Sequence, residues 1–161
     1  MKKNNRLLYL FYGGLSGLLT GLIFALLWSY TNVLATTSFL VVLSKVQPSI
    51  AREELFGLTP TMAVYLFHFF VSLFLGVAFA LIFSNKIKKF QHGIEFGSLF
   101  GIIWWIVTPL YLLPFFFLVP PSIMWDVFLS FTFLNALIGH ILFGMTIGII
   151  YFWFKKLFLI K

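Results

Sequence analysis

Four long apolar stretches alternate with short polar ones along the chain. They occupy residues 7–30, 60–84, 94–118 and 127–154, and none has a lysine or arginine in its interior. Each reaches the length of about 20 residues that a helix needs to cross a bilayer. Because backbone polar groups find no water in lipid, such segments must be helical. The pattern predicts an all-α membrane protein in which four transmembrane helices form a single membrane domain over residues 1–161.

Small residues recur at every fourth position on all four predicted spans. Residues four apart lie on one helix face, and small residues on that face let two helix backbones approach closely in a membrane. One such stripe is a weak signal, whereas a stripe on every span favours helix packing. The predicted packing residues are Gly13, Gly17, Gly21, Ser72, Gly76, Gly93, Gly97, Gly101, Gly144 and Gly148.

The two halves of the sequence resemble each other. "GLLTGLIFALLW" at 17–28 aligns with "GIEFGSLFGIIW" at 93–104, so that both glycines, the phenylalanine and the tryptophan coincide. Further on, "VQPSI" matches "VPPSI", and His68 aligns with His140. We interpret the halves as two tandem parallel copies of a helical hairpin, related by an axis along the membrane normal.

The first repeat covers about residues 7–84 and the second about residues 93–154. Within the first, residues 36–46 are apolar but too short to span a bilayer. We expect them to form a short interfacial helix after the first span or to extend that span. In the second repeat, Pro109 should kink or break the third helix, because proline removes a helical hydrogen bond.

Charge gives the predicted bundle an orientation. Of the 11 lysines and arginines, all but Lys45 and Arg52 lie before the first span, between the second and third, or after the fourth. The positive-inside rule then places both termini in the cytoplasm, and we expect a multi-pass protein of the bacterial inner membrane.

Composition supports the membrane class, with 61% hydrophobic and 9% charged residues. The net charge of +7 suits an anionic leaflet. We expect the lipid bilayer as partner, with a homo-oligomer or other membrane proteins, and no nucleic acid.

Two histidines lie deep within the predicted spans. His68 shares a helix face with Ser72 and Gly76, and His140 shares one with Gly144 and Gly148, so both imidazoles should point at protein. Each could donate a structural hydrogen bond to a neighbouring helix. Alternatively, the pair could form a proton-linked polar site, since histidine titrates near neutral pH, or ligate a haem. We expect the structural role, with no cofactor and no metal site.

Two further polar residues complete the candidate set. Glu95 is predicted to open the third span, where a carboxylate would meet the positive end of the helix dipole. Asn135 lies about one turn before His140 and could form a hydrogen bond across helices.

Several short runs resemble known membrane families. They are "HFFVSLFLGVAFA" at 68–80, "QHGIEFGSLFG" at 91–101, "VPP" and "GHILFG". They resemble the YagU-like family of small bacterial inner-membrane proteins, although this chain lacks the acidic, proline-rich loop of that group after the first span. The glycine-rich first span and the two-hairpin plan are similar to YqhR-like proteins of bacilli. The resemblance implies a topology rather than a reaction.

No catalytic motif accompanies these features. The sequence has no nucleotide-binding fingerprint and no cysteine, and the loops are short. We expect a non-enzymatic integral membrane protein that acts as a packing, assembly or partner-binding module. The alternative is a small oligomeric transporter or channel with a paired-histidine polar site.

Overall fold

The structure, a computed structural model, describes residues 3–31, 60–112 and 131–159. These residues form four long helices and no strand, which confirms the all-helical prediction over the described ranges. The helices are α1 (Lys3–Thr31), α2 (Pro60–Phe83), α3 (Phe90–Val107) and α4 (Phe131–Phe154), with π-helical turns Thr108–Leu112 after α3 and Lys155–Leu159 after α4. The predicted element at 36–46 lies outside the described residues.

Three of the helices are long and apolar enough to cross a membrane. The qualifying segments are Arg6–Leu27, Tyr65–Phe83 and Ala136–Phe158. The third helix, α3, is the shortest at 18 residues, and its first two turns carry Gln91, His92 and Glu95. A membrane protein is therefore supported by three helices, and the fourth span stays a prediction.

The helix α3 begins earlier than the sequence predicts, and its regular part ends near the proline where a kink or break is predicted. The helix begins at Phe90, four residues before the predicted start at 94. Its α-helical part stops at Val107, and the chain continues as a π-helical turn that contains Pro109. Pro109 has no N–H to donate to a carbonyl of the preceding turn, so the regular α-helical ladder is interrupted there.

The helices α1 and α2 cross with their backbones in contact. A methyl group placed on Gly17 would overlap the Ser72 carbonyl, and one placed on Gly76 would overlap the Gly13 carbonyl. At the far end of the same stripe, Gly21 meets the side chain of Ser72. Early residues of α1 thus contact late residues of α2, so the two helices run antiparallel, with small residues at their crossing.

The helices α3 and α4 cross in the same manner. Gly93 packs against the carbonyl of Gly148, Gly97 against that of Gly144, and Gly101 against that of His140. No side chain separates the two backbones at these positions. A methyl group added to any of these glycines would lie too close to a carbonyl of the partner helix. The close approach allows dispersion contacts and weak Cα–H···O contacts to replace the hydrophobic effect, which is absent in lipid.

Aromatic contacts join the two pairs of helices. Tyr12 of α1 stacks on Phe158 beyond α4 with ring centroids 5.3 Å apart, and Phe24 meets Phe143 edge-on at 5.1 Å. On the other side, Phe79 of α2 meets Phe100 of α3 at 5.5 Å. The core lies towards the end of the bundle that carries the α2–α3 loop. Its members are Leu75, Phe79, Ala80, Phe83, Ile87, Phe100, Ile147 and Tyr151.

Candidate functional site: polar groups inside the bundle

His68 forms a hydrogen bond between two helices. Its Nε2 donates to the carbonyl of Gly21 across the α1–α2 crossing, at 3.0 Å. Its ring also meets Phe143 of α4 edge-on, with centroids 6.1 Å apart. The absence of a side chain on Gly21 leaves its carbonyl accessible to the imidazole. The glycine stripe therefore both packs the helices and creates the acceptor for His68.

His140 forms a hydrogen bond within its own helix. Its Nδ1 donates to the carbonyl of Ala136, one turn earlier, at 2.8 Å. Its backbone carbonyl packs against Gly101 of α3. The two histidines that the sequence pairs by position thus use different ring nitrogens and acceptors on different helices, α1 for His68 and α4 for His140.

The structure places Glu95 one turn further into α3 than the sequence predicts. The carboxylate was expected in the first turn of the third span, but α3 begins at Phe90 and its first turn has no acidic residue. Glu95 lies in the second turn and is exposed. Because the dipole effect fades within the first turn, Glu95 has lost the predicted reason for its position. Asn135 lies in α4, but its side chain is outside the described part of the structure.

A stripe of polar residues that was not predicted from the sequence runs along the face of α1 that contacts α4. Ser16 and Thr20 are fully buried, between Tyr12 and Phe24 on the same face. The Ser16 hydroxyl donates to the Tyr12 carbonyl at 2.7 Å, whereas the Thr20 hydroxyl has no hydrogen-bond partner among the described residues. The sequence signal for this stripe was the repeat at every fourth position from Tyr12 to Phe24, which runs parallel to the glycine ladder.

A buried lysine closes the end of the bundle. Lys155 is 8% exposed, and its ammonium donates to the carbonyls of Ser84 and Ile87 at 2.6 and 2.7 Å. The same ammonium lies 5.7 Å from the centre of the Tyr9 ring. We call this group the Lys155 clasp. It ties α1, the α2–α3 loop and the end of α4 together, and it satisfies carbonyls that the end of α2 leaves without a helical donor.

Tyr151 lies one turn before Lys155 and is fully buried. The side chain of Ser84 lies close enough to interact with the Tyr151 hydroxyl, and Tyr9 is a second neighbour. From the sequence, Lys155 is only one of the cations that orient the predicted bundle. The missed clue was its spacing, since Phe143, Ile147, Tyr151 and Lys155 continue one helix face at intervals of four.

His68 and Lys155 connect different elements of the bundle, whereas the bonds of Ser16 and His140 stay within one helix. The His68, Ser16 and Lys155 bonds all end on backbone carbonyls, and each of these acceptors lies within the bundle or its loop. Among the buried side-chain atoms of the described residues, the Thr20 hydroxyl has no hydrogen-bond partner. No protein family model, curated protein or solved structure matches this chain.

Proposed function

We propose that this chain is a non-enzymatic, four-span protein of the bacterial inner membrane that works as an assembly module and associates with a second copy of itself. The observation that carries the proposal is a groove of about 380 Å³ between α1 and α2, which we call the α1–α2 groove. Its lining is apolar and includes Leu10, Phe11, Leu18 and Leu73, with Gly14 among them. It lies on the outer side of the first hairpin, away from the core.

The shape of this surface favours a second copy as the occupant. Phe11 is 59% exposed and lines the groove, while Leu19 and Leu22 are exposed further along the same helix. A ridge and a groove therefore lie side by side on α1. Two copies related by a twofold axis could each place the ridge in the groove of the other, as an isologous interface requires. A glycine in the groove would let the helices approach, as it does inside each hairpin.

The proposed topology places both termini in the cytoplasm and treats the two hairpins as tandem copies. Support comes from the crossings, since Gly76 packs on Gly13 and Gly17 in the first pair and Gly148 packs on Gly93 in the second. These contacts favour an equivalence of Gly13 with Gly93. That equivalence differs by one helical turn from the sequence alignment, which places Gly17 over Gly93, because glycines repeated every turn leave the register ambiguous.

The proposal is tested with Gly14→Leu. A methyl group on Gly14 would meet only the tips of Leu73 and Val77, at 2.9 and 3.4 Å. Both are side-chain atoms that can move, so the fold should tolerate the change while the groove is filled. Gly139→Leu is the matched control, because a methyl group there meets nothing within 4 Å.

The measurement is the oligomeric state in lipid nanodiscs or mild detergent, by mass photometry or native mass spectrometry. We expect dimers for the wild type and Gly139→Leu and monomers for Gly14→Leu, each with a cooperative unfolding transition that shows a folded chain. A wild type that is monomeric at every concentration would overturn the proposal. So would dimers of unchanged affinity in Gly14→Leu, or a heteromeric complex that replaces the dimer.

The alternative function, a small oligomeric transporter or channel, is favoured by one observation. The hydroxyl of Thr20 is buried without a hydrogen-bond partner in the described residues, and buried polar atoms of this kind are commonly satisfied by water. A water-filled path would predict proton or solute flux in liposomes that falls in Thr20→Val. Absence of flux above that of empty liposomes would exclude this alternative.

A further inference from the structure

The end of the bundle that carries the α2–α3 loop is strongly basic. Lys86, Lys88 and Lys89 lie on the loop, the Lys155 ammonium binds two carbonyls of the loop, and Lys156 follows Lys155 in the chain. Glu95 is the sole acidic residue in the described ranges, and it is exposed on α3. The positive charge at this end therefore has almost no compensation from the described part of the chain.

The loop itself is held in a fixed shape. The Ile87 side chain is fully buried, its N–H donates to the Phe83 carbonyl at 3.1 Å, and the Lys155 clasp binds its carbonyl. The N–H of Lys88 donates to Nδ1 of His92 at 3.3 Å. Lys88 therefore projects from an ordered backbone rather than from a loose linker, which lowers the entropic cost of binding a ligand there.

Two cations in this region repel each other. Burial disfavours the charge of Lys155, and the nearby charge of Lys88 disfavours it further, while the acceptors of its ammonium are the neutral carbonyls of Ser84 and Ile87. A buried charge is costly unless an opposite charge or strong hydrogen bonds compensate it. An anion next to Lys88 would relieve both the repulsion and the burial cost.

Apolar side chains flank the same place. Phe90 directly follows the loop and is 43% exposed, and Trp153 of α4 is 46% exposed. Lys156 lies over the Trp153 ring at 5.1 Å, and Phe90 meets Phe152 edge-on at 6.0 Å. Aromatic rings beside lysines are typical of the membrane interface, where the rings contact acyl chains and the cations contact headgroups.

We propose that the α2–α3 loop and the Lys155 clasp form a binding site for the phosphate of an anionic phospholipid, with the acyl chains against Phe90 and Trp153. Basic pockets between helix ends on the cytoplasmic side bind such headgroups. We expect a lipid rather than a soluble phosphate because uncompensated ammonium groups lie beside apolar rings. The ammonium groups would bind the phosphate, and the rings would contact acyl chains, which a soluble phosphate lacks.

The test compares two single charge removals. Lys88→Gln removes a cation at the proposed site, and Arg6→Gln removes an exposed cation of α1. Purified protein in a mild detergent is titrated with phosphatidylglycerol, and bound lipid is counted by native mass spectrometry. Phosphatidylcholine and inorganic phosphate are titrated in parallel, and unfolding curves confirm that both exposed substitutions leave the fold unchanged.

We expect saturable binding of phosphatidylglycerol, weakened about fivefold by Lys88→Gln and less than about twofold by Arg6→Gln, since one lysine near an anionic lipid contributes about that factor. Equal losses in the two variants would mean general attraction to the leaflet and would overturn the proposal. Equal binding of phosphatidylcholine, or full competition by inorganic phosphate at comparable concentration, would also overturn it.

Discussion

The glycine crossings predict that adding one methyl group at the right position destabilises the bundle. In Gly76→Ala, the new methyl group would overlap the Gly13 carbonyl and lie 2.6 Å from the Gly17 nitrogen and 2.8 Å from its Cα. Ordinary contact begins at 3.4 Å. All three atoms belong to the backbone of α1, so no side chain can rotate away and the helices must separate by on the order of 1 Å, a typical overpacking response.

The loss of stability in Gly76→Ala is best measured against a matched control variant. Gly139→Ala adds the same methyl group to a helix, but nothing lies within 4 Å of it. Both substitutions gain the same helix propensity, about 1 kcal/mol in water, so this gain cancels in the comparison. Overpacking of a filled contact costs about 1–3 kcal/mol. We therefore expect Gly76→Ala to be less stable than Gly139→Ala by about that amount.

The assay is reversible unfolding in mixed micelles with increasing denaturing detergent, followed by tryptophan fluorescence. Gly144→Ala provides a second crossing variant, because its methyl group would overlap the Gly97 carbonyl and lie 2.7 Å from the Gly101 nitrogen. It should behave like Gly76→Ala. If both crossing variants unfold within about 0.5 kcal/mol of Gly139→Ala, the backbone contacts described here do not hold the helices together.

Two further predictions concern the polar groups. His68→Ala should lower the free energy of unfolding by about 0.6 kcal/mol, the average for a hydrogen bond between membrane helices. Its effect should add to that of His140→Ala, because the two rings bond to different helices. A double-mutant cycle measures this additivity, and a coupling energy above about 1 kcal/mol would argue for a joint histidine site. Lys155→Met should lower the free energy of unfolding by about 1–3 kcal/mol, because it leaves buried carbonyls without donors. Lys156 is exposed, so Lys156→Met should change the free energy of unfolding by less than about 0.5 kcal/mol. Equal unfolding curves for the two lysine variants would contradict the clasp.

The spacing of the glycines and the position of Pro109 can be read directly from the sequence. Every described glycine of the two ladders meets a backbone atom or a small side chain of the partner helix, and Pro109 marks the place where α3 stops being regular. Both features depend on local chemistry. An absent side chain permits close approach, and an absent N–H interrupts the helix.

Other features could not be predicted because they depend on how helices are rotated and where they begin. The start of α3 at Phe90 moved Glu95 out of the first turn. Lys155 carries the same charge as its neighbour Lys156, and only the rotation of α4 decides which of them is buried. His68 and His140 look equivalent by position, yet their hydrogen bonds differ because one ring reaches a glycine carbonyl on another helix.

The measurement that tests the proposed four-span arrangement most directly is cysteine accessibility. The chain contains no cysteine, so Asn85→Cys, in the exposed part of the α2–α3 loop, and Ser122→Cys, between the third and fourth predicted spans, can each be labelled alone in intact cells. The arrangement predicts that a membrane-impermeant maleimide labels Ser122→Cys directly and Asn85→Cys only after permeabilisation. Labelling of both positions from the same side would contradict it, because α3 would then fail to cross the membrane.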